Sequence, residues 1–101
     1  MIRHVLLWQF KEEYSAEKKA EIRAAMKREL EALVGVVPGL QELTIVTDGM
    51  EETSNADVML DSVMTDNEAY QGDIVHPAHV AAATNFVRPF VKVRLCFDYE
   101  I

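Results

Sequence analysis

Apolar and polar positions along this chain fall into segments of two different periods. Residues 2–10 alternate, with His4, Leu6, Trp8 and Phe10 on one face and Val5, Leu7 and Gln9 on the other, which predicts a strand. Ile22, Met26, Leu30, Leu33 and Val37 recur near helical spacing, with Lys, Arg and Glu between them. They predict a helix over 16–34, started by Ser15 as N-cap with Glu17 in its first turn and ending near Gly35. Pro38-Gly39 is a turn signal. Residues 40–47 read as a second strand, with Leu40 and Val46 set against Leu43 and Ile45. Residues 57–64 read as a third, with Val58, Leu60 and Met64 against Met59 and Val63. Thr65-Asp66-Asn67-Glu68 matches a capping box that opens a second helix. Gly72 weakens that helix, and Pro77 fits the first turn of a new helical piece continuing over 78–86. In 91–99, Val91, Val93, Leu95, Phe97 and Tyr99 alternate with Lys92, Arg94, Cys96 and Asp98, the clearest strand of all.

The order is β-α-β-β-α-β, an α+β, ferredoxin-like arrangement of four antiparallel strands with the helices on one face. A length of 101 residues accommodates one domain, 1–101, and no second. Two helices cover one face of such a sheet, yet the first and third strands are apolar on both sides. A face of that kind, left open, exceeds the apolar patch a soluble monomer tolerates. The expected solution is a homodimer with its sheets packed face to face, each large side chain so buried contributing roughly 1.5–3 kcal/mol.

Composition narrows the partners. Seventeen acidic residues against ten basic ones leave a formal charge of −7, which argues against nucleic acid and against an anionic membrane surface. No apolar run approaches membrane-spanning length, and the first one is too short and interrupted for a signal peptide. Cys96 is the one cysteine, so no intrachain disulfide forms, and a reducing cytoplasm is the expected compartment.

The three histidines fall in two places, His4 in the first strand and His76-Pro77-Ala78-His79 at the second helix. Together with the opening Ile2-Arg3-His4-Val5, the turn Val37-Pro38-Gly39, Ala56-Asp57 before the third strand and the closing Phe97-Asp98-Tyr99-Glu100, this ordered set resembles the stress-responsive A/B barrel family, or Dabb domains, over essentially the full length. The resemblance implies a ferredoxin-like dimer whose sheets form a barrel. It also implies, from a plant member that closes a linear polyketide by aldol chemistry, acid–base catalysis with no cofactor. In that pattern the last histidine of the motif corresponds to His79 and the first-strand histidine to His4. The family's tyrosine has no counterpart by spacing; Asp73 occupies its place, and Tyr70 lies almost one helical turn earlier.

The candidate catalytic residues are therefore His79, Asp73 and His4. His79 could act as general base, with Asp73 orienting it and His4 across a cavity. Tyr70 is the nearest donor for a developing enolate oxygen. Trp8, Met26, Met59, Phe86 and Phe90 could line the pocket, although apolar residues at such spacing are more often plain core. His76 is expected to cap the break at Pro77. His76 and His79, three apart, could face one metal ion only if Asp73, His4 or Cys96 completed the set. With no Cys-x-x-Cys or His-Glu-x-x-His, no metal is expected, and Cys96 reads as a small packing residue. The reading is a dimer with an apolar pocket for a small organic molecule, converted by cofactor-free acid–base chemistry. The alternatives are a non-enzymatic stress or interaction protein and a heme- or quinone-linked monooxygenase of the same architecture.

Overall fold

Strand β1 (Ile2–Phe10) runs through the middle of the sheet, and its alternation decides which side of the molecule is filled. His4, Leu6, Trp8 and Phe10 are buried, while Leu7 on the other side is exposed. The computed structural model describes all 101 residues. β1 is followed by α1 (Ala16–Glu31), β2 (Leu40–Val46), β3 (Val58–Met64), α2 (Asn67–Val75), α3 (Pro77–Phe86) and β4 (Val91–Glu100). The strands lie in the order β2-β3-β1-β4, every neighbouring pair antiparallel. The α+β, ferredoxin-like expectation holds, with the second helix divided in two.

Ser15 starts α1 by accepting a hydrogen bond from the Lys18 N–H at 3.1 Å. The helix buries Ile22, Met26 and Leu30 against the sheet and then stops at Glu31, three residues short of the expected end. Beyond it the backbone tightens into turns in which the Val36 and Val37 N–H groups both bond the Leu33 carbonyl, and Gly35 takes a φ of +88° open to glycine at little cost. The Glu31 carboxylate then accepts from the Ile45 N–H at 2.9 Å, so the helix end is tied to β2.

The faces of β2 differ from the simple alternation. Its register with β3 shifts between Leu40 and Glu42, so Leu40 pairs with Met64 while Leu43 pairs with Ser62 and Ile45 with Leu60. One extra residue restores Leu40, Leu43 and Ile45 to the helix-covered side and leaves Val46 outside with Met59. Leu40 and Val46 therefore do not share a face. Met26, Ile45 and Met64 are the largest wholly enclosed apolar side chains, each contributing roughly 1.5–3 kcal/mol by burial.

The cap of α2 is also one residue later than the capping box suggested. Asp66, not Thr65, accepts from the Ala69 N–H at 2.8 Å; Thr65 instead donates its hydroxyl to the Gly39 carbonyl at 3.1 Å. At the other end His76 adopts φ −64°, ψ 131°, the extended conformation that a following proline favours. Its ring then caps α3, Nδ1 accepting from the Ala78 N–H at 3.1 Å, while Pro77 occupies the first helical position.

The uncovered face of the sheet carries Val5, Leu7, Met59, Val63, Val93, Leu95, Phe97 and Tyr99. Leu95 and Phe97 are 61% and 70% exposed. This face is not wholly apolar, because Arg3 and Asp61 pair across β1 and β3 at 3.6 Å. No helix is long and apolar enough to cross a membrane.

Candidate functional site

Because β4 turns Leu95, Phe97 and Tyr99 outward, its inward positions are Arg94, Cys96 and Asp98, opposite Trp8, Leu6 and His4 of β1. A polar stripe thus lies at the open edge of the core. Between it and the helices is a cavity of about 400 Å³, lined on the sheet side by His4, Leu6, Trp8 and Leu60 and on the helix side by Tyr70, Asp73 and His79. A volume of this size is within the range of small-molecule sites.

Asp98 is the hub of the polar end. The His4 Nδ1 is 2.5 Å from Asp98 Oδ1, and the Cys96 thiol donates to the same oxygen at 3.4 Å. Burial works to raise the Asp98 pKa, but hydrogen bonds from His4 and Tyr70 outweigh it, so the carboxyl lies below its ordinary value. An ionised carboxylate is only an acceptor, so the His4 Nδ1–H is the donor of this pair. The Tyr70 hydroxyl oxygen lies 3.0 Å from that nitrogen, close enough to Asp98 to support its charge. Burial, reinforced by the Asp98 charge, pushes the tyrosine pKa up, so the phenol keeps its proton. The other ring nitrogen of His4, Nε2, makes no hydrogen bond within the protein.

Asp73 is in a contrasting setting. It is 6% exposed, and its Oδ1 has no hydrogen-bond partner. Burial raises its pKa, against the pull of His79, His4 and His76. The nearest basic side chain is the His79 ring, Nδ1 at 3.6 Å from Asp73 Oδ1. Burial thus makes the ionised form of this carboxyl less favourable than it is in water.

Of the residues singled out in the sequence, His4, Asp73, His79, Trp8 and Tyr70 line this cavity; Met26, Met59 and Phe86 do not. Met26 is fully enclosed under α1, and Met59 faces the far side of the sheet with Val46, because side chains alternate along β3. Phe86, at the end of α3, is half-buried outside the cavity. Tyr70 lines it, but its hydroxyl is committed to the Asp98 hub rather than held free for an enolate. Cys96 is exposed beside Asp98 and is not a packing residue. Asp98 itself escaped the sequence reading; the signal was its place opposite His4, which requires the register of two strands far apart in sequence.

A metal would not meet the His76 and His79 pair as a unit, since the His76 Nδ1 is occupied by the α3 cap. The better donor set is His4, Cys96 and Asp98, whose nitrogen, sulfur and oxygen atoms lie within 4.8 Å of one another. Such a mixed set suits a borderline divalent ion.

Comparison with known proteins supplies the relatives. The profile of the Stress responsive A/B Barrel Domain family matches residues 2–101. A dimeric protein of unknown function and ferredoxin-like fold from Bacteroides fragilis superposes with a TM-score of 0.90 at 22% identity, over 99% of this chain and 95% of that one. The Arabidopsis thaliana protein At3g17210 is similar with a TM-score of 0.77 at 28% identity, over 100% and 95%. The hydroxynitrile lyase of Passiflora edulis shares the fold with a TM-score of 0.74 at 17% identity, over 99% and 92%. No curated protein matches the sequence significantly.

Proposed function

The chain belongs to the stress responsive A/B barrel domain family, and from that premise we propose that it acts as a homodimer whose two cavities each bind a small organic molecule and carry out cofactor-free proton transfer on it. Support for the dimer comes from the apolar outer face, with Leu95 and Phe97 mostly exposed in the single chain. The Bacteroides fragilis neighbour is described as dimeric.

The observation that carries the chemistry is the His4–Asp98 pair, at 2.5 Å, beside an unpartnered Asp73 in the same cavity. Asp98 fixes the tautomer that leaves Nε2 free to accept a proton from a carbon next to a carbonyl, and its charge stabilises the resulting imidazolium. The electron pair released from the C–H bond moves to the carbonyl oxygen. Asp73 in its protonated form donates to that oxygen, and His79 steadies the carboxylate left as the proton moves. As the carbonyl re-forms, the proton on its oxygen returns to Asp73 and His4 gives its own back to carbon or to a leaving oxygen, so both side chains end as they began and no redox partner is needed.

The test is hydrogen–deuterium exchange into a panel of β-diketones in heavy water, followed by proton NMR with wild type, His4→Gln and Asp73→Asn, beside native mass spectrometry for retained ligands. Wild type should exchange at least one diketone faster than buffer, and His4→Gln should be about a hundredfold slower. A protein that retains ligand yet leaves every probe at the buffer rate is a binder without turnover. Neither retention nor exchange removes the cavity's functional role.

A further inference from the structure

The acid–base scheme leaves two charged side chains of the cavity unused. Seven of the ten Lys and Arg side chains form an ion pair with a carboxylate. The three that do not are Lys11, Arg88 and Arg94, and both of these arginines line the cavity with His4. In a chain of charge −7, unpaired guanidiniums gathered at one apolar cavity have no partner of their own.

Their positions polarise the cavity. In the β1–β4 register Arg94 lies opposite Trp8 and Asp98 opposite His4, four residues along the strand and so roughly 13 Å apart at Cα. The helix layer repeats this order. His79 is in the first turn of α3, its Nδ1 3.6 Å from Asp73. Asp73 in turn follows Tyr70 by three residues on α2, and the Tyr70 hydroxyl is 3.0 Å from the His4 Nδ1. Arg88 follows the far end of α3, two residues before Phe90, whose carbonyl accepts from the Lys11 N–H at 2.9 Å, just past the end of β1. Both layers therefore put acid–base groups at one end and a guanidinium at the other, with Leu6 and Leu60 between them.

We propose that the cavity is built for a small organic anion: a carboxylate held by Arg88 and Arg94, an apolar body along Trp8, Leu6 and Leu60, and the reacting carbon at the His4–Asp73 end. The assignment of the reacting end rests on the acid–base reading above; the anion anchor does not. Arginine suits this task because its planar fork meets a carboxylate with paired hydrogen bonds.

The test compares two probes of one shape and different charge, 2-naphthoate and 2-naphthamide, titrated by NMR into wild type, Arg88→Gln, Arg94→Gln, the double variant and the control Lys11→Gln. Wild type and Lys11→Gln should prefer the naphthoate by about tenfold or more. Each arginine variant should lose part of that preference and the double variant nearly all of it, with naphthamide affinity unchanged throughout. Equal affinity of wild type for both probes, or a preference that survives in the double variant, overturns the anchor and leaves the acid–base reading intact. Binding of neither probe also overturns the anchor as drawn, and the diketone exchange assay then decides separately whether proton transfer stands.

Discussion

His4 and Asp98 are 94 residues apart in the chain and directly opposite one another in adjacent strands, with Nδ1 2.5 Å from Oδ1. The pair joins the first strand to the last at the polar end of the cavity and sets the protonation pattern around it.

Asp98 stabilises the folded state in a pH-dependent way. Its pKa is lowered in the native protein, so the stabilisation is complete above the ordinary carboxylate range and is lost as pH falls through the lowered value. The side chain is 37% exposed, which tempers the effect of its charged hydrogen bonds. Asp98→Asn is expected to lose about 1 kcal/mol at pH 7 and progressively less as pH falls through the carboxylate range, read from urea unfolding midpoints along a pH series.

Asp73 acts with the opposite sign. Its pKa is raised by burial, so the ionised form costs stability: nothing when folded and unfolded chains are both protonated, increasingly as pH rises past the unfolded value, and fully above the raised native one. Asp73→Asn should therefore stabilise the protein by about 1 kcal/mol or more at pH 8 and leave it unchanged near pH 3. A loss of stability at pH 8 would mean that the carboxylate is better paired with His79 than the 3.6 Å separation indicates.

The two left-handed glycines should respond differently to alanine. Gly35, at φ +88°, has open space where a Cβ would go, whereas Gly39, at φ +82°, would press one into the Ala69 Cβ on α2. Gly35→Ala is expected to cost about 1 kcal/mol and Gly39→Ala 2 kcal/mol or more, measured by thermal or urea unfolding.

Phe97 and Leu95 decide the assembly. A charge at either place puts a desolvation cost into the centre of a sheet-to-sheet contact, while the isolated chain keeps the side chain in water. Phe97→Glu should sediment as a folded monomer at micromolar concentration where wild type sediments as a dimer. Wild type sedimenting as a monomer would remove the sheet-to-sheet assembly.

Periodicity made the elements legible, because a period of two or of 3.6 is written in neighbouring residues: His4 to Phe10 on one side of β1, and Ile22, Met26 and Leu30 along α1. The break at Pro77 and the capping role of His76 were equally local, since proline restrains the residue before it and removes its own donor. Residue types also marked His4, Asp73 and His79 as candidates. What local pattern does not contain is register. The bulge at Leu40, which turns a mispaired face into a consistent one, depends on how β2 slides along β3. The placing of Asp98 on His4, of Tyr70 on that pair, and of Arg94 at the far end of the cavity depends on how β4 lies against β1. Those choices minimise the free energy of the whole packed sheet, so only the tertiary structure could decide them.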